Sequence, residues 1–186
     1  AGWQTIADAA LDSSWATGKG GFGYADNVPE TTNCQTLLPD MKSAAIAGAP
    51  TNYSTFYIRQ SFEVTSAVDP VQHLILTVDY DDGFVAYLDG VELLRGNAGG
   101  TVGVEPGVGA LAPVSHESSR GSAGFAPSTN DVGAVGSRLP VGTHTLAVLG
   151  LNGTTNSSDF ILIADLAMTP LAPQAPVVTG PLAMSI

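Results

Sequence analysis

Four aspartates crowd one short stretch of this chain. Asp79, Asp81, Asp82 and Asp89 all fall within Leu74 to Arg95. Calcium takes about six to eight oxygen ligands and mixes carboxylates with backbone carbonyls. Asp81 and Asp82 sit where an apolar run breaks at Asp81-Asp82-Gly83, an elbow at which several oxygens can converge. They are the candidate calcium ligands. The simpler reading is that Asp82-Gly83 is a turn and Asp81 its capping acceptor. Asp26 and Asn27, in an N-terminal loop, form a second acidic candidate.

Sugar recognition asks for a different set. A pyranose has an apolar face and a polar rim, so its site pairs an aromatic platform with hydrogen-bonding groups. Trp15, Tyr24, Tyr53 and Tyr57 are the candidates. Trp15 also reads as a plug for the end of the domain beneath a glycine-rich loop. Tyr87 reads as outer-face or interior packing.

No catalytic constellation is present. His73, His116 and His144 lie in unrelated contexts. The chain lacks H-E-x-x-H, a phosphate-binding P-loop, G-x-G-x-x-G before a helix and G-x-S-x-G. Carboxylates are too plentiful for any pair to mark a glycoside hydrolase. The expectation is a non-enzyme. Asn52, Asn152 and Asn156 open N-glycosylation triplets of a kind that arises often by chance in Ser/Thr-rich loops. Cys34 is the one cysteine, so no internal disulfide forms, and it reads as a loop or core residue.

The elements that must position these residues read as strands. Leu74, Leu76, Val78 and Tyr80 alternate with Ile75, Thr77, Asp79 and Asp81, the period of a half-buried strand. Phe84 to Leu88 resumes after the elbow. Asp89-Gly90 suits a two-residue type I′ turn, because both positions need positive φ. That turn sets Leu88 opposite Val91, Tyr87 opposite Glu92 and Ala86 opposite Leu93. Further strands are expected at Trp3 to Ile6, Tyr53 to Val64, Thr143 to Leu151 with His144 outward, and Phe160 to Leu166. Residues 96–138 read as the least structured part, with a short strand conceivable around Ala110 to Val114. Gly18, Gly20, Gly21 and Gly23 make regular structure improbable around them. Met41 to Ala49 suits a short helical turn stopped by Gly48 and Pro50.

Length and charge narrow the field. The 186 residues suit one domain, and 22 Gly and 12 Pro with only 12% charged residues favour short strands joined by turns. A formal charge of −11 argues against nucleic acid and against an anionic membrane surface, both of which need a basic patch. No apolar run is long enough for a membrane-spanning helix. No signal-peptide pattern is visible, and Ala-Gly-Trp at the start suits either a mature end left by cleavage or an arbitrary boundary. Low pI and few lysines fit an extracellular or cell-surface setting. Residues 1–169 read as a β-module and 170–186 as a Pro-rich linker or tail that contributes little to the core.

The motifs, taken in order, carry a resemblance. Leu11-Asp12-Ser13-Ser14-Trp15 and Gly23-Tyr24-Ala25-Asp26 resemble the "F-D-D-S-S-W" and "G-Y-G-D" motifs of galactose-binding-like β-sandwich modules of secreted bacterial proteins, with Ala25 where Gly is usual. Tyr57, Arg59, Phe62 and Val64 match that family's "Y-x-R-x-x-F-x-V" strand. Asp81-Asp82-Gly83 through Glu92 is similar to its "DDG-x-x-x-Y-L-[ND]-G-x-E" hairpin. Ser115 to Arg120 resembles its "H-E" turn. Asn152 closes a strand like its "G-x-N-x-L-A-V-x-x-x-N", and Ser157, Ser158, Asp159 and Leu166 match its last strand. The hairpin is similar, more weakly, to that of PA14 domains, in whose lectins an Asp-Asp pair holds calcium and sugar.

The resemblance covers roughly residues 1–168. It implies a jelly-roll-like antiparallel β-sandwich, in line with the all-β class read from the strands. It also implies a non-catalytic carbohydrate-binding accessory module beside a neighbouring domain, with calcium as cofactor. A structural calcium near one end of such sandwiches would fall to Asp8 and Asp165. The alternative expectation is a structural or adhesive module that contacts protein or its own copies without recognising sugar.

Overall fold

The computed structural model describes residues 2–42, 53–121 and 125–170. Among these the protein is nearly all-β, with two short 3-10 helices, Asp8–Ala10 and Glu30–Asn33, and no α-helix. The nine strands are β1 (Phe22–Ala25), β2 (Thr36–Leu37), β3 (Thr55–Val64), β4 (His73–Asp81), β5 (Gly83–Leu88), β6 (Val91–Gly96), β7 (Ser128–Ala134), β8 (Gly142–Leu151) and β9 (Asp159–Met168). They form a five-stranded sheet in the order β2-β1-β9-β4-β7 and a four-stranded sheet in the order β3-β8-β5-β6. Every pairing is antiparallel except β1 with β2.

The main core lies between the sheets. Leu76, Val78, Tyr80, Phe160 and Leu162 from one pack against Phe84, Ala86 and Val148 from the other. The elbow after Asp81 is where the chain passes between sheets. β5 is buried along its whole length, because its outer face is covered too. Val85, Tyr87, Ala147, Leu149 and Leu151 there pack beneath Trp3, Ala110 and Ala112. Tyr87 therefore belongs to this outer cluster, edge-on to Trp3 at 6.0 Å.

The hairpin at Asp89-Gly90 forms with φ of 50° and 80°, as a type I′ turn requires. Leu88 faces Val91 and Tyr87 faces Glu92, but the register then slips and Ala86 faces Leu94 rather than Leu93. A β-bulge takes up the extra residue, a feature no turn rule foretells. Trp3 to Ile6 forms turns instead of a strand, because Trp3 caps the outer cluster. The segment expected to be least structured holds β7, which pairs with the far edge of β4, whereas Ala110 to Val114 forms no strand. Contrary to the expectation for the glycine-rich stretch, β1 runs through Gly23, with β2 beside it. Gly23 permits this, since a Cβ there would lie 2.3 Å from the Phe160 carbonyl oxygen of the neighbouring strand.

His144 is buried rather than outward. It is 5% exposed, packs against Phe62, bonds through Nδ1 with Asp89 (2.7 Å) and donates through Nε2 to the Pro140 carbonyl (2.7 Å). Burial disfavours its charged form, but the Asp89 carboxylate and the Pro140 carbonyl outweigh that and raise its pKa. Most of the expected helical turn, Asn52 of the first glycosylation triplet and the expected tail beyond Pro170 lie outside the described residues. No helix here is long and apolar enough to cross a membrane.

Candidate functional site

One end of the five-stranded sheet gathers acids from distant parts of the chain. Asp79 and Asp81 point to one side of β4 by the period of the strand, and Asp82 follows in the elbow, joined to Asp81 by a cis peptide. All three are buried, yet they differ in what they hold. Asp79 accepts the Ser119 N–H (2.6 Å) and the Ser119 hydroxyl (2.5 Å). Asp82 accepts the His116 N–H (2.9 Å) through one oxygen and the Gly153 N–H (2.5 Å) through the other. Gly153 makes that approach possible, since a Cβ there would sit 2.6 Å from the Asp82 carboxylate. His116 is fixed further by stacking on Tyr80 at 4.1 Å.

These anchors bracket Glu117. With His116 tied to Asp82 and Ser119 to Asp79, the loop between β6 and β7 delivers the Glu117 carboxylate to Asp81. Asp159, the first residue of β9, arrives from the third side. Carboxylate oxygens of Asp81, Glu117 and Asp159 all lie within 4.8 Å of one another. Glu30, on the second 3-10 helix, is close enough for Asp159 to raise its pKa, after the larger effect of burial.

The cluster is short of positive charge. Among the described residues, the ion pairs join Lys42 to Asp26, Arg59 to Asp8, His73 to Asp131, Arg95 to Glu92 and His144 to Asp89, and none reaches this site. Asp81 is only 3% exposed. Burial first, then the charges of Asp159, Asp82, Glu117 and Glu30, push its pKa up to about 9, with no hydrogen bond among the described residues to offset them. Burial and the neighbouring Asp159 and Asp82 raise Glu117 as well.

Of the residues picked from sequence as metal ligands, Asp81 is therefore in the cluster, and Asp82 stands outside it as the acceptor that holds two loops together. Glu117 and Asp159 are not among the ligands expected from the sequence, although both lie in its motifs. Asp8 bonds Arg59 and Ser61 on the outer face, and Asp165 pairs with Thr77 in mid-sheet. Asp26 is paired with Lys42, and Asn27 donates to Glu30 at 2.5 Å.

The aromatic candidates divide. Tyr24 is a core residue at 6% exposure. Its hydroxyl donates to the Ser157 carbonyl (3.0 Å) and accepts from the buried Asn152 amide (3.1 Å), and burial pushes its pKa to about 12. Tyr53 packs against the main core, and burial raises its pKa. The burial of Asn152 also removes it as a glycosylation acceptor. Trp15 and Tyr57, by contrast, line one cleft of about 910 Å³ along β3. Trp3, outside the cleft lining, stacks on Trp15 at 6.3 Å and lies edge-on to Tyr57 at 4.9 Å. The floor is apolar, with Phe22, Phe56, Leu146 and Val148, and Asp12, Lys19, Gln35 and Gln60 line the rest as exposed polar groups.

In comparisons with known proteins, no family model and no curated protein sequence matches the chain.

Proposed function

We propose that this chain is a non-catalytic, extracellular carbohydrate-binding accessory module, a jelly-roll sandwich of the galactose-binding-like kind serving a neighbouring domain of a larger protein. The observation that carries the reading is the cleft along β3. Trp15 and Tyr57 bring aromatic surface to it, and Asp12, Lys19, Gln35 and Gln60 bring hydrogen-bonding groups. Its volume of about 910 Å³ falls in the range of small-molecule sites. An apolar face with a polar rim is what a pyranose presents, and this wall offers both. The pairing of the first strand with the last in the five-stranded sheet supports the jelly-roll assignment.

Polysaccharide pull-down and a glycan array, run with the wild type and Trp15→Ala, test the reading. Binding to one glycan class is expected, weakened at least about tenfold by the loss of one stacking aromatic. Absence of glycan binding across the array, or full binding by Trp15→Ala, would refute it.

One observation favours the alternative of a module that contacts protein. β1 covers only Asp159 to Leu162 of β9, so Ile163 to Met168 has no strand partner on that side among the described residues. Such an edge accepts an added strand. Concentration-dependent mass in solution together with a blank glycan array would favour this reading.

A further inference from the structure

We infer that the groove between the open edges of β3 and β9 is a docking site for this chain's own residues 182–186, which add a strand beside Ile163 to Met168 and close that side of the sandwich. The inference goes beyond the glycan reading and does not depend on it. It gives the open β9 edge an occupant from within the chain, in place of an outside partner.

The groove follows from the strand order. β3 is the edge strand of its sheet, and β1 covers β9 only as far as Leu162. Among the described residues, both sheets are therefore open on the same side beyond that point. A cavity of about 490 Å³ lies there, lined by Phe62, Val64, Leu74, Leu139, Leu146 and Leu166. This lining is core. Leu74 and Leu139 belong to a buried cluster, against which Phe62, Val64 and Leu166 pack while still partly open. An apolar cavity of about 150 Å³ already holds a benzene-sized group, so this one has room for several apolar side chains. Along the same stretch, no strand of the described residues pairs with the outer edge of β9. An unpaired edge beside an apolar groove is what an extended segment completes.

The choice of segment rests on where β9 leads and on the sequence beyond it. The described residues stop at Pro170, two positions past the end of β9. Met168 itself lines the cavity and is 43% exposed. Residues 171–186 thus set out from the mouth of the groove. Within them Leu182, Met184 and Ile186 alternate with Ala183 and Ser185. That is the period of a strand with one apolar face. Five extended residues cover about 17 Å, close to the length of Ile163 to Met168. The eleven residues before them reach up to about 36 Å, enough to lay the segment along the edge from either end. Pro173 and Pro176 stand three positions apart, so a strand through both would turn one of them toward β9 with no N–H to offer. Residues 182–186 hold no proline. Residues 169–186 carry no charged side chain, so the segment meets Glu63 and Asp165 of the cavity lining without repulsion. Docked in this way, Leu182, Met184 and Ile186 enter the cavity while Ala183 and Ser185 face water. The tail then adds to the core, against the expectation that it contributes little.

Amide hydrogen exchange on the full chain, followed residue by residue, tests this. Alternate amides from Ile163 to Met168 face the open edge. In the wild type they should exchange at least about tenfold more slowly than in Met184→Asp. Ser185→Asp, on the water-facing side, should behave as the wild type. Met184→Asp should also lower the melting temperature by about 4–8 °C, since it withdraws one buried side chain. Equally fast exchange at these amides in all three proteins would overturn the inference, because the edge would then be bare. Equal damage from Met184→Asp and Ser185→Asp would overturn it as well, because neither face of the segment would then be the buried one. Protection that appears only as the protein is concentrated, with a doubled mass in solution, would overturn it in favour of a second copy's segment. A blank glycan array refutes the glycan reading alone and leaves these outcomes as they stand.

Discussion

Replacing Asp82 with alanine removes the acceptor for two half-buried backbone donors at once. Among the described residues the His116 N–H at 2.9 Å and the Gly153 N–H at 2.5 Å have no other partner, and Asp82 is 5% exposed. Hydrogen bonds to a charged group contribute about 1.5–3 kcal/mol each, so the expected loss is about 3–6 kcal/mol. That is a large part of the roughly 5–15 kcal/mol that holds a domain folded. Asp82→Asn keeps one accepting oxygen but turns its NH₂ toward the other donor, so it should lose about half as much or more. The neighbouring Asp81 provides the contrast. Among the described residues it gives up no hydrogen bond when changed, and Asp81→Asn puts a neutral amide in place of a carboxyl whose charged form burial and the neighbouring acids disfavour. In chelator that variant should match or exceed the wild type in stability. Urea unfolding at constant pH in chelator measures all three, with midpoints compared at unchanged slope. The reasoning is refuted if Asp82→Ala costs less than about 1 kcal/mol, or if Asp81→Asn in chelator is as damaging as Asp82→Ala.

Two further outcomes are expected. His144 faces Asp89 and Glu63, and its folded pKa is raised, so its contribution is fully present below the ordinary histidine value and is lost as pH rises through the folded one. Asp89→Asn, which also tolerates the positive φ of the turn, should flatten that part of the stability–pH curve, and an NMR titration of the imidazole should show its pKa falling. Gly150→Ala should destabilise the protein by about 1–3 kcal/mol in a denaturant melt, because its Cβ would lie 2.5 Å from the Phe160 ring and 3.0 Å from Leu162.

The sequence by itself determined the all-β class, β3, β4, β5, β8, β9 and the Asp89-Gly90 turn. These follow from side-chain alternation and from the positive φ that only a few residues accept, both of which act over a handful of neighbouring positions. It also marked Asp81 as unusual and placed Trp15 and Tyr57 among the aromatic candidates. Tertiary structure decided the rest. β7 is too short of apolar residues to announce itself and forms because β4 offers it an edge. His144 goes inside because the four-stranded sheet places Phe62 beside it and the turn supplies Asp89, while Tyr24, read as a platform, is held in the core by Asn152 and Ser157. The division between Asp81 and Asp82 is of the same kind. Adjacent residues of one type look alike in a sequence, but one meets backbone donors from two loops and the other meets carboxylates from elsewhere in the chain. Which of these a side chain encounters is set by the packing of strands and loops far apart in the sequence, and no local pattern carries that information.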